Sequence, residues 1–330
     1  DDPMRARVRK TFDRFITVAG KTDPEIAQLA REMGLHIAVD LKGFTLSNRL
    51  GVFSFRAAPI QMHYIGYPGT LGMPGVIDYQ IADRVLVPVQ ARPFYTEKII
   101  ELPDSYQVND RQRVIDPVVP SRAELGLPDD AFVFCCFNNN YKITRDVFGL
   151  WMQLLKEKEG SVLWLLADND AAARNLKQAA RDAGIDSDRL IFAQRADLPQ
   201  HLARHAQADL FLDTLPYNAH TTASDALWAG LPVLTRMGET FASRVGASLL
   251  MACNLPELIT RTPQEYLERA RELAHDPQQL KAIRQKLQDT RLQVPLFDTE
   301  RFTRHIERAY DLAWERFAQG LPPDHITVPQ

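Results

Sequence analysis

The chain has 330 residues, of which 45% are hydrophobic and 25% charged, and its formal net charge is -3. That is material for about two domains with a sizeable core, and the near-neutral charge balance argues against nucleic acid as the main partner. No apolar run is long enough to span a membrane, the N-terminus is no signal peptide, and Cys135, Cys136 and Cys253 show no metal-ligand spacing, which fits reduced core cysteines in a cytoplasmic setting.

Asp1-Asp2-Pro3 does not read as a natural start, so a fragment of a longer protein is expected. Residues 4–18 and 24–33 carry apolar residues at helical spacing. Residues 35–41, 60–65, 79–81 and 99–102 read as short strands. Between the second and third lies Gly66-Tyr67-Pro68-Gly69-Thr70-Leu71-Gly72, a loop whose glycines permit close backbone approach to a ligand. Residues 103–128 are polar, proline-rich and without periodicity, as in a linker or domain crossover. A regular alternation follows: strands at 131–137, 161–166, 189–192, 209–212 and 232–234, with helices at 144–158, 170–184, 198–206 and 221–230. That alternation predicts a parallel α/β sheet. Helices at 264–275, 277–290 and 299–319 close the chain. The expected division is an N-terminal lobe over 1–125 with its linker at 103–128, a doubly wound lobe over 126–297, and a helix and tail over 298–330 that pack back on the first lobe. The first lobe looks short and incomplete.

Residues 208–230 (ADLFLDTLPYNAHTTASDALWAG) are the most informative. An apolar strand leads through a polar loop into a helix that opens on His220-Thr221-Thr222. A helix N-terminus with free N–H groups and two hydroxyls is an anion site. Asp225, one turn on, faces the same way and suits the hydroxyls of a ribose. Taken alone, an ordinary capped helix with a solvated Asp225 is the simpler reading. A second loop, Phe137 to Ile143, follows the first strand of the second lobe. Ligands of open parallel sheets bind beyond the carboxyl ends of the strands, so Lys142 belongs on the same edge, where an ammonium can neutralise phosphate.

FNNNYKI, SVLWLL, LDTLPYNAHTTASDALWAGLPVLT and GETFASRVGASLL together resemble the catalytic region of O-GlcNAc transferases. GLHIAVDLKGFT, APIQMHYIGYPGTLGMPGVIDYQIAD, YTEKIIELPDSY and the late PDHI extend that resemblance over nearly the whole chain. It implies a GT-B glycosyltransferase, α/β with two Rossmann-like domains facing a cleft. It also implies inverting transfer of N-acetylglucosamine from UDP-GlcNAc to protein Ser or Thr, with no metal or other cofactor. Matched by motif, Lys142 and Asn139 belong beside the diphosphate, His220, Thr221 and Thr222 hold it, and Asp225 takes the ribose. His201, Arg204 and the backbone of Ala196 are placed at the uracil, and His36 near the sugar and acceptor. The implied partners are an acceptor protein or peptide and an upstream tetratricopeptide-repeat region, with neither nucleic acid nor membrane.

Two departures stand out. Leu198 takes the place of a cationic residue near the base. The family's first strand and helix, with a histidine-bearing motif, have no counterpart here. The lobes are joined without a large insertion, as in bacterial forms. The remaining histidines are read as structural: His63 as a core residue, and His205, His275, His305 and His325 on or near surface helices and the tail. Glu239 and Arg244 are expected to support the last helix of the second lobe. Competing functions are transfer of another sugar or linkage (fucose, or N-linked glucose), a UDP-sugar epimerase that needs no acceptor, and a non-catalytic interaction module.

Overall fold

Two parallel sheets organise the chain, in a computed structural model that describes residues 3–330; Asp1 and Asp2, read above as an unnatural start, lie outside the described residues. The first sheet is preceded by α1 (Pro3–Lys10) and α2 (Asp23–Glu32). α2 begins where the Glu25 carboxylate accepts the backbone N–H of Thr22 at 2.7 Å and a proline occupies the first turn, both start signals. The sheet's strands are β1 (Ile37–Asp40), β2 (Ile60–His63), β3 (Tyr79–Asp83) and β4 (Lys98–Leu102), with the short α3 (Gly51–Ser54) between the first two. They lie side by side in chain order.

The helix predicted over 4–18 stops at Lys10. Phe12, Phe15 and Ile16, which supplied its apolar spacing, are exposed. Without a face to pack, the β-branched and aspartate residues of 11–18 have too little propensity to continue the helix.

The second sheet contains β5 (Val133–Cys136), β6 (Val162–Leu166), β7 (Leu190–Ala193), β8 (Leu210–Leu212), β9 (Val233–Arg236) and β10 (Ile259–Thr260). Its helices are α4 (Arg145–Glu157), α5 (Asp170–Asp182), α6 (Leu198–Arg204), α7 (Thr221–Trp228) and α8 (Val245–Ala252), followed by α9 (Pro263–His275) and α10 (Pro277–Thr290). The spatial order is β7-β6-β5-β8-β9-β10. The chain therefore builds outward from β5 in one direction, returns to β8, and builds outward in the other, as in dinucleotide-binding folds. The central strands read as continuous apolar runs because helices cover both faces; Phe134, Cys135, Trp164 and Phe211 are buried. β10 and α8 were not anticipated as separate elements. A two-residue strand carries no periodic signal, and α8 is apolar all round because it is buried throughout.

The last helix, α11 (Thr299–Ala318), packs on β2 and β4, and β11 (Ile326–Thr327) pairs with β4 in the register Ile326↔Ile100. The Nδ1 of His325 accepts the Ile99 N–H at 2.9 Å. The chain thus returns to complete the edge of the first sheet. The lobes also touch directly. The Ser248 hydroxyl of α8 donates to the buried Asp83 at the end of β3 at 2.6 Å, and the Arg244 guanidinium, at the start of α8, donates to the carbonyl of Leu86 at 3.3 Å. No helix among the described residues is long and apolar enough to cross a membrane.

Candidate functional site

The reversal of strand order between the parallel neighbours β5 and β8 opens a crevice, and the loops leaving these two strands form its walls. From β5 comes Asn139 to Lys142. From β8 comes residues 213–220, leading into α7. The first intrahelical bond of α7 runs from Ser224 N–H to the His220 carbonyl, and no side chain of His220 caps the helix. The amides of Thr221, Thr222 and Ala223 therefore precede the hydrogen-bonded ladder and face outward at the positive end of the helix.

Two cavities meet at Thr221 and Thr222. One, of about 340 Å³, is lined by Asn139, Ala196, Leu198, His201, Arg204 and Asp225. The other, of about 250 Å³, is lined by Gly66, Tyr106, Gln107, Lys142, Tyr217 and His220. The structure thus brings together every candidate from the second lobe. The first lobe contributes the Gly66 loop to the same space.

Lys142 is 9% exposed. Its ammonium donates to the Asn218 carbonyl at 2.8 Å and lies 4.0 Å from the centre of the Tyr217 ring. An ammonium has three protons, so it keeps donors for a ligand. Burial pushes its pKa down to about 8, partly offset by Asp213 and Cys136. Asp213 anchors the whole loop. Its Oδ1 accepts the N–H groups of Thr214 (2.7 Å) and Ala219 (2.6 Å), and its Oδ2 accepts the Thr235 hydroxyl at 2.7 Å. Burial lifts it to about 6. Asp213→Ala leaves two buried amides and a hydroxyl without their acceptor, so a stability loss on the order of 3 kcal/mol is expected. A urea midpoint equal to that of the parent protein would reject this anchoring role.

His220 stacks on Tyr217 at 4.9 Å, and burial and then Lys142 bring it down to about 3, so it is neutral at physiological pH. His201 is likewise held down to about 4 by burial and by Arg204. The Arg204 guanidinium donates to Nδ1 of His201 and, at 2.6 Å, to the Gln194 carbonyl. The imidazole proton of His201 is therefore on Nε2, a donor for a carbonyl. Arg204 also lies 4.5 Å above the Phe137 ring. Asp225 is paired with Arg113 at 2.5 Å, a residue that no sequence signal had singled out because its segment has no periodicity.

His36 is not part of this constellation. It stacks on Trp314 at 4.3 Å and lines a separate cavity with Arg31, Leu35 and Phe55. It precedes β1, at the edge opposite the carboxyl ends that face the crevice, so the expected place near sugar and acceptor is corrected. His205 and His305, expected on the surface, are buried. His205 turns inward because its Nδ1 donates to the His201 carbonyl at 2.7 Å, and His305 faces Asp104 at 3.7 Å. His63 is fully buried, with Nδ1 2.7 Å from the Asp40 carboxylate and Nε2 2.9 Å from the Tyr67 carbonyl. It ties β1 to the Gly66 loop at the lip of the crevice.

A doubly wound lobe with a nucleoside-sized cavity and a cationic, helix-capped one at its switch point, faced by a second parallel lobe, defines a GT-B glycosyltransferase fold. Residues 1–118 and 115–306 match Glycosyl transferase family 41. The chain belongs to that family. It is 37% identical over 98% of its length to the probable UDP-N-acetylglucosamine–peptide N-acetylglucosaminyltransferase SEC of Arabidopsis thaliana, of which it spans 34%. It superposes on a mutant of the Thermobaculum terrenum O-GlcNAc transferase with a TM-score of 0.88, at 32% identity over 97% of this chain and 61% of that one. A putative UDP-N-acetylglucosamine 2-epimerase from Listeria monocytogenes shares the fold alone, with a TM-score of 0.52 and 13% identity over 99% of this chain and 88% of that one. The chain spans about a third of the length of the curated relatives it matches.

Proposed function

We propose that this chain is the donor-binding and catalytic region of an enzyme that moves N-acetylglucosamine from UDP-GlcNAc to Ser or Thr hydroxyls of proteins, with inversion and without a metal. The observation that carries this reading is the meeting of Lys142, the N-terminus of α7 and the Asp225 cavity at one switch point. The names of the relatives supply the sugar and the acceptor class. Acceptor proteins are the partners, an upstream tetratricopeptide-repeat region belongs to the same reading, and the setting is cytoplasmic.

The uracil is placed against the Ala196 backbone, where His201 Nε2–H and the Arg204 guanidinium offer donors. Asp225 accepts from the ribose. The diphosphate lies across Thr221 and Thr222 toward Lys142, and the sugar faces Gly66. The acceptor oxygen attacks the anomeric carbon from the face opposite the leaving group, the bond to the β-phosphate breaks, and the hydroxyl proton is released. Charge grows on the departing diphosphate. Fixed donors aimed at that charge lower the barrier most, and here they are the Lys142 ammonium, two hydroxyls and the amides of α7. Activity is expected to survive EDTA. Leu198 offers no charge beside the base, so recognition there rests on the donors just named.

The test is incubation with UDP-GlcNAc and a Ser/Thr-rich acceptor protein, read by mass spectrometry. Addition of one N-acetylhexosamine per modified hydroxyl is expected. Conversion of the UDP-sugar without an acceptor would show an epimerase instead. UDP affinity carries a further signature. Lys142 is cationic below about pH 8, and a bound diphosphate favours the cation. Affinity is therefore full below that pH and falls as pH rises through it, by up to about tenfold per unit. His201 and His220 titrate near pH 4 and 3, and Asp213 near 6. A calorimetric Kd that stays flat between pH 7 and 9 removes Lys142 from the phosphate site.

A further inference from the structure

The crossover segment at 103–128 contains no helix or strand, yet part of it is bound tightly to α7. Asn109 is buried. Its Nδ2 donates to the Leu296 carbonyl at 3.1 Å, its Oδ1 accepts the Ser224 hydroxyl of α7, and its backbone carbonyl accepts the Thr299 hydroxyl at 2.8 Å. Four residues on, the guanidinium of Arg113 engages all three of its nitrogens: Nε donates to the Asp110 carbonyl at 3.2 Å, Nη2 to Asn109 Oδ1 at 3.2 Å, and Nη1 to Asp225 Oδ1 at 2.5 Å. Its face lies 5.1 Å from the Trp228 ring, which Arg291 approaches at 4.8 Å. The side chains of Arg113 and Asp225 are each 11% exposed.

A carboxylate this enclosed is costly to leave unpaired. Burial pushes the Asp225 carboxyl up, and Arg113 works against that push. The bonds to Asp110 and Asn109 hold the planar guanidinium, so its Nη1 meets Asp225 Oδ1 from one fixed direction. With Oδ1 committed to Arg113, the carboxylate cannot rotate freely, and its second oxygen is the one left for the cavity that Asp225 lines with His201 and Arg204. A neutral acid, or a carboxylate free to turn, is a poorer acceptor for two neighbouring hydroxyls.

We propose that Arg113 is a positioning residue for the nucleotide: from the crossover segment it holds Asp225 in the orientation that accepts the ribose hydroxyls. This rests on the reading of Asp225 as the ribose ligand. It makes the segment that joins the lobes part of the donor site. Asn109 braces the same strap by gripping Ser224, the residue before Asp225.

The test compares UDP with 2′,3′-dideoxy-UDP by calorimetry on the parent protein, Arg113→Met and Arg113→Lys. The parent is expected to prefer UDP by about ten- to a hundredfold, the range for hydrogen bonds to a charged group. Arg113→Met should bring that preference close to one while dideoxy-UDP binds within about threefold of the parent value. Arg113→Lys keeps the charge but loses the fork, and should retain only part of the preference; it carries the comparison if the Met variant is recovered unfolded. Equal weakening of both ligands by the variants, with the parent still discriminating, overturns the proposal and makes Arg113 a structural brace. A parent that does not discriminate removes the ribose role of Asp225 itself, and the proposal with it.

Discussion

Lys142→Met is expected to lower turnover by about a hundredfold or more while leaving the ligand-free protein no less stable than its parent. The two halves of this prediction have one cause. A lysine moved from an ordinary 10.5 down to about 8 by burial is a cation held where the fold disfavours it. Unfolded, the same side chain keeps its proton until well above pH 10. The difference of 2.5 units corresponds to a folding cost on the order of 3 kcal/mol at neutral pH, offset by the hydrogen bond to Asn218 and the contact with Tyr217. Methionine fills similar volume without that cost.

The sign is checkable. In the parent, the unfolded chain binds more protons than the folded one between about pH 8 and 10.5, so this residue makes stability rise with pH across that window. The rise disappears in the variant. Turnover with UDP-GlcNAc and thermal melting of the apo-protein at pH 7 and 9.5 measure both effects. Loss of activity accompanied by a drop of several degrees in Tm would mark Lys142 as a structural residue. Cavities that hold an unpaired charge for a ligand commonly trade stability for function in this way.

Gly66→Ala should separate the lobes functionally, with turnover falling by about two orders of magnitude and UDP affinity staying near the parent value. A Cβ on Gly66 would lie 2.1 Å from the Leu41 carbonyl oxygen and 2.7 Å from its carbon. Both are backbone atoms, so no side chain can swing aside. The Gly66 loop must move away from the loop after β1, and the packing cost is about 1–3 kcal/mol. The groups proposed to bind UDP, by contrast, sit on the loop after β5, on α6 and the residues just before it, and on α7 and its start, in the other lobe. The face proposed for sugar and acceptor is expected to shift while the face proposed for the nucleotide stays in place. Steady-state kinetics with calorimetry of UDP test this. A variant that loses UDP binding in proportion to turnover would show that the first lobe shapes the nucleotide pocket as well.

Several features were legible before the fold was known because their signals are local. Apolar runs over β5, β6 and β8 have the composition of strands buried on both faces. The Thr-Thr start of α7 follows a turn. The glycines around residues 66–72 suggested room for a ligand to approach the backbone, and what the structure shows at Gly66 is close packing against the Leu41 backbone. Periodicity misled where no partner surface existed, as at Phe12, Phe15 and Ile16, and it was silent for the segment that carries Arg113. His36 shows the same limit from another side: a motif placed it beside the right strand, but it precedes β1, at the end away from the crevice.

The sequence by itself therefore determined the alternation of strands and helices, the Thr-Thr start of α7 and the family to which the chain belongs. Tertiary structure alone decided which loops meet. β8 lies beside β5 rather than β7, and this places Lys142 with Thr221 and Thr222. Arg113 reaches Asp225 across 112 positions, and β11 returns to β4 after the whole second lobe has intervened. Periodicity, capping and turn chemistry act within a few residues and leave their mark on adjacent letters. Strand order and long-range ion pairs depend on how two completed lobes close on one another, and no neighbouring residue records that.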